Sequence, residues 1–197
     1  MNDFWNKRYC TKEFAYGESP NQFLVEELKK LKPEKILFPA EGEGRNAVYA
    51  ATLGWEVTAF DPSREGKKKA ELLAAKHNSK IDYQIAGYQD VTFPPDYFDC
   101  LVLIFAHMPP DKRNEYHQKL LGFLKPGGRL LVEGFAKEQI EKNTGGPQHV
   151  DMLFSKEELQ TDFSNLSEIT ILEKETSLDE GPFHQGIASV IRITGKK

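Results

Sequence analysis

The feature that most constrains this fold is the alternation of short apolar segments with segments of helical period along most of the chain. Strand character is found in "EKILFP", "WEVTAF", "IDYQIA", "FDCLVLIF" and "GGRLLVEGF", and helical patterns lie between most of these segments. Strands that alternate with helices form a mostly parallel sheet through right-handed crossovers, with helices on both faces. The sequence therefore predicts an α/β protein with a Rossmann-like, doubly wound sheet.

The C-terminal part of the chain has a different pattern. "SEITILEKET" and "GIASVIRIT" have strand character, and no helix-length spacer separates them. Two such strands pair as an antiparallel hairpin, which we expect at one edge of a seven-stranded sheet. We find no repeat or linker, so we predict one domain over residues 1–197, with an N-terminal segment of residues 1–32 and a core of residues 33–197.

Residues that are typical of helix ends predict where the helices begin. Ser19 is predicted as an N-cap, with Pro20 at the first helical position. Ser155, followed three residues later by a glutamate, predicts a capping box. Further helices are expected over residues 45–53, over residues 63–77, and from near residue 111.

The loop after the first predicted strand, "EGEGRNA", is the expected binding region, because ligands bind outside the carboxyl ends of the strands in a doubly wound sheet. Gly42 and Gly44 allow a ligand to approach the backbone closely. Ala47 completes a G-x-G-x-x-A spacing, and Asp61 ends the second predicted strand. A carboxylate there can accept hydrogen bonds from both ribose hydroxyl groups, so the pattern predicts a nucleoside cofactor.

Charge separates the candidate cofactors. A dinucleotide would place its pyrophosphate over this loop, beside Glu41 and Glu43. Two like charges about 4 Å apart repel by roughly 4 kcal/mol at an effective dielectric constant near 20. S-adenosylmethionine has no phosphate and has an ammonium and a sulfonium group, so it suits carboxylates beside glycines.

Composition excludes several classes of protein. The net charge of -4 over 197 residues disfavours nucleic acid and anionic membranes as partners. The basic run of residues 64–70 is interpreted as a solvated helix face. Cys10 and Cys100 form no disulfide framework, and no leader or membrane segment is visible, so we expect a cytoplasmic protein. The histidines and cysteines have no metal-ligand spacing, so we predict no metal, and the sequence predicts no oligomeric state.

Nearly the whole chain resembles the class I S-adenosylmethionine-dependent methyltransferases. "KILFPAEGEGRNAVYAA" is similar to the family's first motif, "VTAFDPS" to its ribose-binding acid, "FPPDYFDCLVLIFAH" to the approach to its fourth strand, and "LLGFLKPGGRLLVEGF" to the turn into its fifth. Within the family, "FWNKRY" with "FAYGESPNQFL" resembles the tellurite-resistance and thiopurine methyltransferase-like branch, whose N-terminal segment caps the cofactor.

The resemblance implies roles for named residues in binding S-adenosylmethionine. It places Gly42 and Gly44 beneath the methionine part of the cofactor, Glu41 near its ammonium group, and Asp61 at the ribose. It also implies cofactor contacts for Pro62, Ser63, Tyr88, Gln89, Phe105 and Ala106.

Three positions depart from the family pattern. Phe38 stands where many relatives have an acidic residue, and Ala40 replaces the first glycine. Gly87 replaces a common aspartate on the adenine side, so the adenine amine would rely on backbone carbonyl groups or on Asp90. Because of Gly87, the sequence also allows a member of the family that binds the cofactor weakly or has no transfer activity.

His107 is the candidate general base, because it follows the fourth strand and an unperturbed imidazole titrates near pH 6.5. The alternative is a histidine that hydrogen-bonds a loop, and the sequence does not separate the two. A base is needed only if the acceptor arrives protonated.

Other residues are candidates for the acceptor pocket. Aromatic residues of the N-terminal segment, which has little helical period, form either a lid over a small substrate or simple packing onto the domain. The predicted acceptor contacts are Trp5, Tyr9, Tyr16, Phe135 and His149, with Phe14, Glu133, Gly145 and Gly146 as further candidates. His184, at the tip of the late hairpin, is expected to be exposed.

Three functions follow from these observations. The favoured one is transfer of a methyl group from S-adenosylmethionine to a small-molecule acceptor, with a thiol or another soft nucleophile suggested by the resemblance. The second is a non-catalytic protein that binds S-adenosylmethionine. The third is an NAD-dependent oxidoreductase, against which Glu41 and Glu43 count.

Overall fold

This computed structural model describes residues 2–197, with side chains from residue 3 onward. Its strands are β1 Lys35–Pro39, β2 Glu56–Asp61, β3 Asp82–Ile85, β4 Phe98–Ile104, β5 Leu124–Phe135, β6 Glu168–Asp179 and β7 Gln185–Lys196. Its α-helices are α1 Asn2–Tyr9, α2 Gln22–Leu28, α3 Arg45–Thr52, α4 Arg64–Lys76, α5 Arg113–Phe123 and α6 Lys156–Asp162. Short 3-10 helices at Lys137–Glu141 and Val150–Met152 lie between β5 and α6.

The strands form a seven-stranded sheet in the order β3-β2-β1-β4-β5-β7-β6. β1 with β2, β2 with β3 and β4 with β5 are parallel pairs, and β7 is antiparallel to both β5 and β6. The predicted α/β fold with an antiparallel C-terminal hairpin is confirmed. None of the described helices has the length and apolar composition that a membrane span requires.

The chain divides into two compact units, which we describe separately. The first unit extends to Thr92 and includes Glu180–Phe183, and the second contains Phe93–Asp179 and His184–Lys197. The single domain, with a segment of residues 1–32 and a core of residues 33–197, stays a prediction.

In the first unit, α4 has the boundaries that its sequence predicts. Ser63 is its N-cap and accepts a hydrogen bond from the Gly66 N–H at 3.1 Å, and His77 is its C-cap. Behind it, Val48, Leu73 and Ala74 form a buried apolar cluster, which fixes α4 against α3. This packing places the N-terminus of α4 directly after β2.

The predicted start of α2 is wrong. The helix begins at Gln22, and its N-cap is Asn21, whose side chain accepts a hydrogen bond from the Leu24 N–H at 3.0 Å. Ser19 and Pro20 therefore precede the helix. Asn21 is held by a tertiary contact, since its own N–H donates to Asn46 Oδ1 at 2.9 Å.

The second unit contains the C-terminal hairpin and the predicted turn "KPGG". The register of β4 with β5 passes from Phe98 opposite Leu124 to Cys100 opposite Arg129, so the turn interrupts the ladder inside β5. The predicted capping box of α6 is confirmed: Ser155 and Glu158 exchange side-chain to backbone hydrogen bonds.

Candidate functional site

The loop between β1 and α3 has three residues with positive φ: Ala40 at 51°, Gly42 at 62° and Gly44 at 88°. A Cβ atom on Gly44 would lie 2.5 Å from the Cβ of Ala70, so the packing of α3 on α4 requires glycine there. Ala40, where the family has glycine, adopts a left-handed conformation that costs a non-glycine residue about 1–2 kcal/mol. Ala40 thus takes a backbone conformation that glycine takes without this cost.

Asp61 lies at the end of β2 with only 4% of its surface exposed. Its Oδ2 accepts a hydrogen bond from the Gly42 N–H at 3.2 Å, and its Oδ1 accepts one from the Ser63 N–H at 2.8 Å. Burial raises the pKa of Asp61 to about 6, although these two hydrogen bonds act in the opposite direction. The fold thus brings together three of the predicted cofactor residues, Gly42, Asp61 and Ser63.

Glu41 binds the N-terminus of α3. Its Oε1 accepts hydrogen bonds from the Asn46 N–H at 2.9 Å and from the Ala47 N–H at 2.8 Å. Burial raises the pKa of Glu41 to about 7, against the effect of these hydrogen bonds and of Arg45. Because a carboxylate occupies the amide groups that a phosphate would use, this helix terminus is unsuited to a pyrophosphate.

Glu43 differs from Glu41 in its partners. Its Oε1 accepts a hydrogen bond from Lys69 Nζ at 2.6 Å, and its Oε2 accepts one from the Ala15 N–H at 2.8 Å. The charge argument for S-adenosylmethionine therefore depends on Glu41, since Lys69 neutralises Glu43. The interpretation of residues 64–70 as a wholly solvated face is wrong for Lys69, which is 9% exposed.

The N-terminal segment begins with a helix, α1, so the expectation of little helical period is wrong for residues 2–9. Tyr9 on α1 is 5% exposed and covers the loop: a Cβ atom on Gly42 would lie 2.7 Å from Tyr9 Oη. Trp5, one helical turn earlier, stacks on Tyr9 with ring centroids 5.5 Å apart, and Tyr16 meets Tyr9 edge to face at 6.4 Å. Three predicted acceptor residues thus lie together beside the glycine loop.

Two residues that sequence reasoning missed fix this arrangement. Asn6 Oδ1 accepts a hydrogen bond from Ser63 Oγ at 2.8 Å and so ties α1 to the start of α4. Gly66 lets α4 approach the loop, because a Cβ atom there would lie 2.7 Å from the Gly42 carbonyl oxygen. Gly66 could have been found from the sequence, because a glycine inside a helical pattern often has a packing reason. No sequence pattern distinguishes Asn6.

The residues predicted on the adenine side lie in a turn after β3. Tyr88 is half-buried and meets Phe60 edge to face at 5.9 Å, whereas Gln89 is exposed and Pro62, which follows Asp61, is half-buried. A Cβ atom on Gly87 would lie 3.2 Å from Asp90 Oδ2. A carboxylate is therefore present beside Gly87 although the residue itself has none.

In the second unit, aromatic rings gather at the carboxyl ends of β4 and β5. Phe105 packs on Phe135 and on His184, with both centroid distances 4.5 Å. Phe105 has a φ of 51°, which is rare for a bulky residue and is typical of functional sites. Ala106 beside it is buried. The expectation that His184 is exposed is wrong, since it is 5% exposed and packs on these rings.

Both ring nitrogens of His107 are bonded to backbone groups. Nδ1 lies 2.8 Å from the Met152 carbonyl oxygen, to which it must donate, and Nε2 accepts a hydrogen bond from the Phe135 N–H at 3.1 Å. Burial lowers the pKa of His107 to about 4. In this conformation His107 has no free lone pair to accept a proton, so the geometry favours the alternative in which it holds a loop.

The remaining predicted acceptor residues have different environments. Phe135 is 1% exposed, and a Cβ atom on Gly146 would lie 2.8 Å from its ring. Glu133 is buried and pairs with Arg192. His149 is exposed, so of these residues it is the one on the surface.

We compared the sequence and the fold of this chain with those of known proteins. A family model described as a methyltransferase domain matches residues 36–128. Together with the relatives and solved structures below, this match supports a class I S-adenosylmethionine-dependent methyltransferase. The matched region includes the glycine loop and Asp61.

Relatives of this methyltransferase act at different atoms. It is 28% identical over 141 residues to the ubiquinone/menaquinone biosynthesis C-methyltransferase UbiE of Geotalea daltonii, an alignment with 68% of this chain and 58% of the relative. It is 25% identical over 163 residues to the thiopurine S-methyltransferase of Vibrio cholerae strain O395, an alignment with 74% of each chain. TehB from Haemophilus influenzae has the same fold, with a TM-score of 0.73, 17% identity, and coverage of 100% of this chain and 66% of that chain.

The loop of this methyltransferase fits the cofactor of the family, S-adenosylmethionine. Two carboxylates lie at the glycine loop, that of the half-buried Glu41 and that of the buried Asp61, and they match a ligand with an ammonium and a sulfonium group. Gly42 has no side chain, which lets the Tyr9 ring pack directly on the backbone of the loop.

Proposed function

We propose that this methyltransferase transfers the methyl group of S-adenosylmethionine to a small-molecule acceptor, and that the acceptor atom is a thiol or another soft nucleophile. S-adenosylmethionine as the cofactor is supported by two carboxylates at the glycine loop, that of the half-buried Glu41 and that of the buried Asp61. The acceptor side is supported by the thiopurine S-methyltransferase relative, whose alignment covers equal shares of both chains.

The residues that would hold the cofactor are Glu41, Gly42, Gly44, Asp61, Pro62, Ser63, Tyr88, Gln89, Phe105 and Ala106. When bound, S-adenosylmethionine supplies an electrophilic methyl group. The task of the protein is then to bind, to orient and to exclude water, and alignment of the reacting atoms can supply roughly 7–11 kcal/mol of the barrier. Tyr9, on which Trp5 stacks, covers the loop and would exclude water from it.

The environment of His107 bears on the acceptor atom. Methylation of a carbon or an amide needs a base to remove a proton, whereas a thiol with an ordinary pKa near 8.5 is partly ionised without one. His107 has both nitrogens occupied by backbone groups, and Glu133 is paired with Arg192. These contacts favour an acceptor that ionises by itself, such as a thiol, over one that depends on His107 as catalytic base.

The non-catalytic alternative rests on Gly87, and the position of Asp90 weakens it. A carboxylate beside Gly87 can accept a hydrogen bond from the adenine amine as an aspartate at position 87 would. The oxidoreductase alternative loses its support because Glu41 occupies the amide groups of α3 that a pyrophosphate needs.

The experiment that tests the proposal measures binding first and transfer second. Isothermal titration with S-adenosylhomocysteine and with NADH should show binding of the former only. Transfer of a labelled methyl group from S-adenosylmethionine to a panel of aromatic and aliphatic thiols, with the matching alcohols and amines as controls, should favour the thiols. Binding without transfer to any panel member would support the non-catalytic alternative instead.

We expect the affinity for S-adenosylhomocysteine to rise with pH through the titration of Glu41. The pKa of Glu41 is raised to about 7, so Glu41 is mainly neutral at pH 6 and mainly ionised at pH 8. A ligand ammonium that binds the ionised form would then bind about tenfold more tightly at pH 8 than at pH 6, with release of a proton. Calorimetric titrations at pH 6 and pH 8 measure the affinity, and their repetition in buffers of different ionisation enthalpy measures the number of protons released on binding.

Glu41→Gln is the matched variant, because its amide oxygen can still accept from Asn46 and Ala47. The pH dependence should fall to about twofold in it, because Asp61 with its pKa of about 6 still titrates, and should stay at its full size in Glu56→Gln, which changes an exposed glutamate of β2. An unchanged pH profile in Glu41→Gln would remove Glu41 from the cofactor site.

We also propose a cytoplasmic location and no nucleic acid or membrane partner. The net charge of -4 supports the absence of polyanionic partners. Cys10 and Cys100 are free thiols, the form that a reducing compartment maintains.

A further inference from the structure

Arg8 on α1 is held between aromatic rings. Its guanidinium carbon lies 3.9 Å from the centroid of the Phe183 ring and 5.2 Å from that of Phe4. Its NH1 group donates a long hydrogen bond, 3.4 Å, to Tyr16 Oη. The contacts with the rings hold the guanidinium in place and leave most of its five N–H donors unused.

Arg8 differs from the other partly buried arginines in having no acidic partner within residues 2–197. Arg45 pairs with Glu180 at 2.7 Å, Arg113 with Asp162 at 2.7 Å, and Arg192 with Glu133. Arg8 is half-buried, and its contacts are the two rings and the Tyr16 hydroxyl group. A fixed guanidinium that lacks a carboxylate is a ready binding group for one.

We propose that Arg8 binds the carboxylate of a planar acceptor, and that this determines which acceptors are methylated; the inference rests on the function proposed above. The rings around Arg8 favour a flat molecule, since Tyr16 and Phe183 lie with centroids 6.2 Å apart. Tyr16 also meets Tyr9, which covers Gly42. A continuous aromatic surface thus extends from the cofactor loop to Arg8.

The helical geometry of α1 assigns the carboxylate to the acceptor and not to the cofactor. Tyr9 covers the glycine loop, and Trp5, one turn earlier on the same face of α1, stacks on Tyr9. Phe4 and Arg8, also one turn apart, form a neighbouring face that meets Phe183. Arg8 therefore lies on a different face of α1 from Tyr9, the residue that covers Gly42 and the position proposed for the methionine part of the cofactor.

The test uses a pair of ligands that differ only in charge, 4-(methylsulfanyl)benzoate and 4-(methylsulfanyl)benzamide. Each is titrated calorimetrically into the full chain with and without saturating S-adenosylhomocysteine. The wild type should bind the acid about tenfold more tightly than the amide, as expected for a hydrogen-bonded arginine–carboxylate pair. Arg8→Gln should reduce this preference to nearly one, and Arg8→Lys should keep part of it because a point charge remains.

Lys7→Gln is the matched control, since it removes one positive charge from an exposed neighbour on the same helix. It should keep the preference for the acid. The inference would be overturned if the wild type bound the acid less than about threefold more tightly than the amide, or bound neither probe measurably. It would also be overturned if Arg8→Gln kept the same preference for the acid as the wild type. Failure of S-adenosylhomocysteine to bind would instead contradict the proposed function, and the titrations without it still decide the role of Arg8.

Discussion

Asp61→Asn should weaken the binding of S-adenosylhomocysteine about a hundredfold, because hydrogen bonds to a charged acceptor contribute roughly 1.5–3 kcal/mol each. Asp61 accepts from the N–H groups of Gly42 and Ser63, so its carboxylate fixes the loop as well as the proposed ribose position. Asparagine has the same shape but only one acceptor oxygen, and its NH2 group would face one of these N–H donors. Calorimetric titration of both proteins at pH 8 measures the effect.

Asp82→Asn is the control for Asp61→Asn, since Asp82 is an exposed aspartate on the neighbouring strand β3. Its affinity should stay within a factor of about two of the wild type, as surface substitutions away from special features have small effects. A thermal midpoint for each variant separates lost binding from lost folding. An Asp61→Asn protein that folds and binds S-adenosylhomocysteine normally would exclude Asp61 from the cofactor site.

The sequence predicts elements well where local signals decide them. α4 begins after Ser63 and ends before His77 because the cap and the apolar period act within the same helix. α2 begins two residues later than Pro20 suggests, because Asn21 is held by Asn46, a residue distant in sequence. The helix α1 was missed because its one strong signal, Trp5 and Tyr9 at helical spacing, also suits an irregular aromatic segment.

The same distinction applies to the site. Gly42, Asp61 and Ser63 come together as expected because they follow consecutive parallel strands. The pairing of Glu43 with Lys69 could not be predicted, because 26 residues separate them and both lie in runs of charge. The burial of His184 was not predicted for a similar reason. It depends on contacts with Phe105, which follows β4, and with Phe135 of β5, and no local sequence pattern indicates such contacts.

Asp162→Asn should lower the free energy of unfolding by about 3 kcal/mol, since removal of one partner from a buried ion pair typically costs 3–5 kcal/mol. Asp162 is the last residue of α6, where a negative charge is unfavourable to the helix dipole, and it is 1% exposed. Its carboxylate accepts from Arg113 Nε at 2.7 Å, Asn114 Nδ2 at 2.9 Å and His117 Nδ1 at 2.9 Å. Urea unfolding of both proteins measures the difference.

The pH dependence of this difference tests the cause. Despite its burial, Asp162 has a pKa held well below the ordinary value of 3.8, and the hydrogen bonds from His117, Arg113 and Asn114 are the reason. A lowered carboxyl pKa stabilises the fold above pH 3.8, and this contribution is lost as the pH falls through the folded-state pKa. The gap between Asp162→Asn and the wild type should therefore be full at pH 7 and narrow below pH 4. Asp151→Asn, at an exposed position of the same unit, is the control, and its free energy of unfolding should equal that of the wild type at both pH values. If both variants lost the same free energy of unfolding, surface charge and not this buried cluster would be responsible.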